Sequence, residues 1–353
     1  HFEKIMAYIQ LNKDFDALKQ LLDTYEATQV FVLTAHHLHR LMVTSEDAPL
    51  KCLNNYPVLQ INDAESSKTL ETVASIWDFL FQHKATRHSL LICLGGGVIT
   101  DVGGFAASTY KRGIRFVHIP TTLLGMVDAA IGGKTGINFG GIKNGVGTFT
   151  EPLHTYIYPT LLRTLSAEEF LSGYAELIKT CLLSNQQDFN DALLALECLN
   201  NEPLLEQLIS RCAAVKANVV AMDHNEQGIR KCLNLGHTIG HAIEAYSMHH
   251  HPLRHGYAVM QGMVAAIYLS VTMMGLNREV LRQLSHVMVT HYGHASCACS
   301  DYDDLIDRML QDKKNTCRDT ISFTLLREVG DPVVDCVVPE NMIREALDYL
   351  FSL

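Results

Sequence analysis

Four short apolar runs punctuate the first third of the chain: Val30-Phe31-Val32-Leu33, Val58-Leu59-Gln60-Ile61, Leu90-Leu91-Ile92-Cys93-Leu94 and Ile114-Arg115-Phe116-Val117-His118-Ile119. Their length and bounding turn residues are those of buried strands. Between them the apolar period lengthens to three or four residues. Leu70, Val73, Ile76, Phe79 and Leu80 predict a helix ending near Gln82, and Phe15, Leu18, Leu21 and Leu22 give helical spacing within residues 1–28. Alternating strand and helix implies a parallel, doubly wound sheet whose ligand lies at the carboxyl ends of the strands.

After about Tyr158 the pattern changes. Strand signals nearly vanish, and helical periods run over Ala167–Leu183, Gln187–Leu196, Pro203–Met222, Leu235–Ala245, Val259–Met274, Arg278–Thr290 and Asn341–Phe351. The expected fold is α/β, with a Rossmann-like doubly wound domain over residues 1–158 and a mainly α-helical domain over residues 159–353. A chain of 353 residues is long enough for two cores.

The formal net charge of −10 argues against a nucleic-acid or anionic-membrane binder, which needs a basic face to displace counterions. An anionic substrate must therefore meet a local cluster of Lys and Arg. No apolar run is expected to reach the roughly 18 residues of a membrane span, and the first residues lack the pattern of a signal peptide, so the cytoplasm is the expected compartment. The ten cysteines include no C-x-x-C pair and sit mostly among apolar neighbours, which reads as reduced core thiols.

Chemistry concentrates in a few stretches. Gly95-Gly96-Gly97 follows a strand and opens a helix that carries Thr100 and Asp101. Glycines there let a backbone approach a pyrophosphate while the helix start offers N–H groups, so a dinucleotide is the first ligand to consider. Asp101 either accepts a cofactor hydroxyl or favours the helix dipole. His237 and His241 stand at i, i+4, preceded by Arg230 and Asn234 and followed by His255. Residues 230, 234, 237 and 241 read as one polar stripe at helical spacing, suited to a divalent metal through at least two histidines. Glu176 and Lys179 form an i, i+3 pair amid Gly173, Ala175, Leu177, Ile178 and Leu182, so they line a site more readily than a solvated face. Glu176 could complete a Glu/His/His metal set with open positions. Arg112, Lys134, Lys143, Lys216, Arg230, Lys313 and Lys314 supply scattered cations for a phosphate and a carboxylate.

With these residues assembled, the chain closely resembles the 3-dehydroquinate synthases of the sugar-phosphate cyclase superfamily, from about Glu65 to Gly330. The motifs that carry the resemblance are Gly95-Gly-Gly-Val-Ile-x-Asp101, Tyr110-Lys-Arg-Gly, Ile119-Pro-Thr-Thr-Leu, Val127-Asp-x-x-x-Gly-Gly-Lys-Thr-Gly-x-Asn138, Lys143-Asn144, Ala175-Glu-x-Ile-Lys179, Arg230-x-x-x-Asn-Leu-Gly-His-Thr-x-Gly-His-Ala-Ile-Glu244, His255-Gly and Asp312-Lys-Lys. The resemblance implies a divalent metal, zinc or cobalt, on Glu176, His237 and His255. It implies NAD on Glu65, Lys68, Gly95, Gly96, Gly97, Asp101, Thr121, Thr122, Asp128, Lys134, Lys143 and Asn144. The implied substrate and catalytic contacts are Arg112, Lys134, Lys179, Lys216, Arg230, Asn234, His241 and either Lys313 or Lys314, with Lys314 preferred, and Asp128, His237 and His255 also reach the substrate.

The implied reaction converts 3-deoxy-D-arabino-heptulosonate 7-phosphate to 3-dehydroquinate and phosphate, in the shikimate pathway. It proceeds by transient oxidation, phosphate elimination, re-reduction and ring closure, with no net redox change. A homodimer is the family's habit. The chain departs from the family pattern in three places. Ala35-His36-His37 replaces an Asp-x-Asn near the cofactor's adenosine, Asp223-His224 replaces Asp-Glu, and His255-Gly256-Tyr257 replaces His-Gly-Glu. Three other readings compete with it: a polyol or glycerol-phosphate dehydrogenase of the same plan, which would release NADH; a cyclase making another ring; and an inactive nucleotide binder. Asn234, His241 and the Asp312-Lys-Lys motif favour the dehydroquinate enzyme over the other cyclases.

Overall fold

The structure is a computed structural model that describes residues 9–26, 29–197, 202–248, 251–311 and 320–353. It divides into two compact units, one of His1–Ser166 with Lys216–Ala221, the other of Ala167–Val215 with Met222–Leu353.

In the first unit the described elements run β1 (Ile9–Leu11), α1 (Asp16–Leu22), β2 (Val30–Ala35), β3 (Val58–Ile61), α2 (Leu70–Gln82), β4 (Leu90–Gly95), α3 (Gly97–Thr109), β5 (Arg115–Pro120), β6 (Lys134–Phe139), β7 (Ile142–Phe149) and β8 (His154–Ile157). Six of these strands form a sheet of order β1-β8-β5-β4-β2-β3, parallel at every pairing. Every residue of β2 and β4 is buried, as expected for central strands covered on both faces. From β2 the chain steps out to the edge strand β3 and then crosses back over β2 to β4, continuing through α3 to β5. The order therefore reverses between β2 and β4, the point where open α/β sheets take their ligands.

Local chemistry sets the helices. The Thr69 hydroxyl accepts the Thr72 N–H at 3.2 Å and caps α2, while the indole of Trp77 donates to the Ala106 carbonyl at 3.0 Å and ties α2 to α3.

β1 and β8 give too short a signal to read from sequence. The antiparallel hairpin β6–β7 is also new, because β7 is glycine-bearing and exposed along nearly its whole length and offers no apolar run.

The second unit contains α4 (Ala167–Ser184), α5 (Gln186–Glu197), α6 (Glu202–Met222, whose Lys216–Ala221 segment groups with the first unit), α7 (His237–Ser247), α8 (His255–Leu269), α9 (Arg278–Val287), α10 (Tyr302–Leu310) and α11 (Glu340–Ser352).

Two expectations need correction here. The half is not without strands: β9 (Ser322–Glu328) and β10 (Asp331–Val337) form an antiparallel hairpin turned at Gly330, where φ is +92°. β9 buries its Phe323–Leu326 stretch and packs against α8, whereas β10 is mostly half-exposed, so the pair shows little strand signature in sequence. The second correction concerns apolar length. His255–Met274, which is α8 with its final turn, is long and apolar enough by composition to cross a membrane. It begins at His255 rather than Val259, and 67% of its most apolar window is buried inside the protein, as for the core helix of a soluble fold.

Candidate metal centre and dinucleotide turn

The centre of the second unit is built on three helices. α4 is buried continuously from Ser172 to Leu183. Within that stretch Glu176 is completely buried, and Lys179, one turn on, is 2% exposed and forms an ion pair with it. A charged pair at such depth is held by its partners, because the desolvation of either ion alone is severe. Burial by itself would raise the Glu176 pKa. The Lys179 ammonium and the His255 imidazole overcome that and hold the carboxyl well below the ordinary carboxylate range.

His237 begins α7. The residue before it, Gly236, has φ +79°, and a Cβ there would lie 2.5 Å from Met263 Cγ on α8. Only glycine meets both demands. This break also corrects the expected stripe. Arg230 and Asn234 lie on a separate 3₁₀ segment, Ile229–Asn234, and only His237 and His241 share a helix. The Nδ1 of His237 lies 3.2 Å from the Leu235 carbonyl, which accepts its proton and leaves Nε2 aimed inward.

His255 begins α8. Its Nδ1 lies 3.3 Å from Glu244 Oε2 and its Nε2 3.5 Å from Glu176 Oε1. Burial would lower its pKa, but the facing carboxylates of Glu176 and Glu244 carry it up to about 9. The preceding residue, Arg254, bonds Glu168 at 2.7 Å and also pairs with Glu169 in the first turn of α4, pinning the two helix starts together. At the same junction Gly256 donates its N–H to Ser172 Oγ at 3.1 Å.

These residues fit a divalent metal. The Nε2 atoms of His237 and His255 each lie 3.5 Å from the same oxygen, Glu176 Oε1, and the three donors converge within 4.8 Å of one another. Tetrahedral bonds of about 2.1 Å separate neighbouring ligand atoms by about 3.4 Å. Glu176 Oε2 is taken up by the Lys179 ammonium, while Oε1, which both imidazoles face, has no hydrogen-bond partner among the described residues. Two nitrogens and a carboxylate are the donor set of a catalytic zinc with open positions.

Around the centre, the His241 ring lies 5.1 Å from that of His237 and 5.9 Å from that of His255. Asn234 Nδ2 donates to Glu226 at 3.2 Å. Arg230, 1% exposed, donates from Nη1 to the His224 carbonyl at 2.6 Å. That bond uses the His224 backbone, so the departure at 224 does not remove it. Tyr257, the other departure here, packs edge-on against Tyr292. Asp312, Lys313 and Lys314 lie outside the described residues. Glu244 was visible in the sequence only as the end of a motif, and its part in the site appears with the fold.

In the first unit, the Gly95–Gly97 turn ends β4, and α3 opens from Gly96 with no side chain capping it. Thr121 donates its N–H to the Gly95 carbonyl at 3.1 Å, and a Cβ on Gly96 would meet Thr122 Cγ2 at 3.1 Å, so both threonines border the turn.

Asp101, on the first turns of α3, is bonded by Lys68 at 2.6 Å. Burial raises its pKa against the lowering pull of that ammonium. Lys68 also bonds Asn144. Asn138 bonds Glu65 at 2.9 Å and accepts the Asn144 N–H at 2.8 Å. Residues 65, 68, 101 and 144 thus come together through the β6–β7 hairpin, with Asn138 as an organiser that sequence reasoning left without a role. Asp128 pairs with Lys216, which also donates to the Asp128 carbonyl at 2.6 Å. Lys134 and Lys143 are exposed on the hairpin, and Arg112 is exposed with φ +68°. At the end of β2, His36 bonds Gln60 at 2.9 Å and His37 lies 3.9 Å from Asp63.

The 3-dehydroquinate synthase N-terminal family profile matches residues 58–172, and the C-terminal profile matches residues 173–315. The 3-dehydroquinate synthase of Parabacteroides distasonis is 43% identical over 336 residues, covering 95% of this chain and 91% of that one. The chain belongs to the 3-dehydroquinate synthase family. Another family member, the enzyme of a Sulfurovum species, is 39% identical over 94% of this chain and 93% of its own. Among solved structures, this 3-dehydroquinate synthase family chain is similar to 2-epi-5-epi-valiolone synthase from Streptomyces hygroscopicus, solved with NAD+ and Zn2+. The TM-score is 0.85, with 26% identity, and 98% of this chain and 96% of that one are covered.

Proposed function

We propose that the protein is a carbon–oxygen lyase that converts 3-deoxy-D-arabino-heptulosonate 7-phosphate to 3-dehydroquinate with release of phosphate, using NAD and a divalent metal. The observation that carries this reading is the convergence of Glu176, His237 and His255 beside the buried Lys179, in a chain of this family. We place it in the shikimate pathway, in the cytoplasm, as a homodimer.

Glu176, His237 and His255 would hold the ion, zinc or cobalt, which when bound supplies Lewis-acid polarisation of a substrate hydroxyl. The Gly95–Gly97 turn, with Thr121, Thr122 and the Lys68–Asp101–Asn144 network, would hold NAD, which supplies a hydride acceptor returned to its starting state each cycle. The rest falls to the chain's own groups. Lys179 fixes an oxygen of the substrate by its ammonium. His241, whose ring lies against both ligand rings, holds or passes a proton. Arg112, Lys134, Lys216, Arg230 and Lys314 neutralise the phosphate and carboxylate, and Asn234 orients a hydroxyl.

The test is to supply purified protein with the heptulosonate phosphate and zinc. Inorganic phosphate should appear without net NADH, chelation should abolish the release, and His237→Ala should lose the metal. Steady accumulation of NADH would refute the reading in favour of a polyol or glycerol-phosphate dehydrogenase.

A further inference from the structure

We propose that Glu244 is a positioning residue for the metal centre: its carboxylate holds the Nδ1 proton of His255, so that Nε2 turns its lone pair toward the ion shared with Glu176 and His237. The inference rests on the reading of those three residues as the ligand set.

A neutral imidazole carries one N–H, and which nitrogen has it is decided by what the other side of the ring meets. In His255 the two nitrogens face two different carboxylates. Nδ1 lies 3.3 Å from Glu244 Oε2, and Nε2 lies 3.5 Å from Glu176 Oε1. His237 solves the same problem differently, with Nδ1 3.2 Å from the neutral Leu235 carbonyl. The two ligand rings are therefore not equivalent. A carboxylate behind an imidazole fixes ring orientation and raises the basicity of the far nitrogen more than a carbonyl does, giving a carboxylate–histidine–metal relay at His255.

The fold puts Glu244 there deliberately. It follows His237 and His241 at i+7 and i+3 on α7, so all three face the start of α8 together. His241, Glu244 and His255 also make a donor cluster of their own. An ion seated there would need Nδ1 of His255, the same nitrogen whose proton Glu244 takes in the present proposal. The two uses of Glu244 exclude each other, and an experiment separates them.

Glu244→Gln keeps the shape and an acceptor oxygen but removes the charge; Glu244→Ala removes both. Zinc affinity is measured by competition with a chromophoric chelator, and the visible spectrum of the cobalt(II)-loaded protein reports ligand geometry. The expected result is that Glu244→Ala binds zinc about 10- to 100-fold more weakly, with Glu244→Gln between it and the wild type. The cobalt bands should shift in both, while the melting temperature of the metal-free Gln variant stays at the wild-type value. Zinc affinities within twofold of wild type with unchanged cobalt bands would overturn the proposal. So would two ions per wild-type chain, one of them lost in Glu244→Ala, since Glu244 would then be a ligand. Failure of the wild type itself to bind zinc would instead overturn the underlying ligand assignment, and the proposal with it.

Discussion

His118 offers a sharp test of how the first unit is held together. It sits in the middle of β5, 4% exposed, with Nδ1 lacking a hydrogen-bond partner among the described residues, and burial depresses its pKa to about 3. In the unfolded chain the imidazole titrates near 6.5. The folded pKa lies below the unfolded one, so this contribution is fully present above about pH 6.5, is lost as the pH falls, and levels off below about pH 3. The linkage relation gives a loss of about 2.5 kcal/mol between pH 7 and pH 4.5 from this one group. His118→Leu removes it.

The single tryptophan of the chain, Trp77, lies in the same unit on α2, so its fluorescence during urea denaturation reports the relevant transition. Wild type should lose about 2.5 kcal/mol more than His118→Leu over that pH range, since every other titration is common to both. The strand leads directly into Thr121 and Thr122, so NAD binding should weaken over the same acid range in wild type. Parallel stability curves for the two proteins would refute the assignment of a neutral, buried imidazole at 118.

Three further outcomes are expected. Lys179→Met leaves Glu176 charged and buried without its cation, so the metal-free protein should lose about 3–5 kcal/mol, most of it restored by zinc; calorimetry with and without the ion checks both halves. Gly236→Ala places a Cβ 2.5 Å from Met263 Cγ at a φ of +79°, and should cost about 1–3 kcal/mol in thermal denaturation and weaken zinc binding by displacing His237. Lys68→Met cuts the link from Asp101 to Asn144, and titration calorimetry should show NAD affinity falling roughly tenfold; unchanged affinity would detach that network from the cofactor.

Much of this was legible in the chain because the decisive signals are local. The runs that became β2 to β5 are continuous, and the long helices α4, α6 and α8 have clear periods. Gly95–Gly97 and His237/His241 are contiguous or one turn apart. What escaped was set by tertiary contacts. The stripe from Arg230 to His241 looked unbroken because spacing alone does not reveal that Gly236 is left-handed and lies tight against α8. β7 and β10 are too exposed to carry an apolar pattern. Glu244 and Asn138 act on residues distant in sequence: Asn138 meets Glu65 across 73 positions. No periodicity encodes such a meeting.

The junctions between the helices that carry Glu176, His237 and His255 are backbone against backbone. A Cβ at Gly262 of α8 would fall 2.0 Å from the Gly236 carbonyl oxygen, and one at Gly256 would fall 1.9 Å from that of Ser172 in α4. Spacing between the three donors is therefore dictated by main-chain contact rather than by the lengths of pliable side chains. Such a scaffold has little freedom to surrender when a cation arrives and little room to collapse when one departs. The protein should tolerate repeated stripping and reloading, and exchange between ions of similar radius, without passing through an unfolded form.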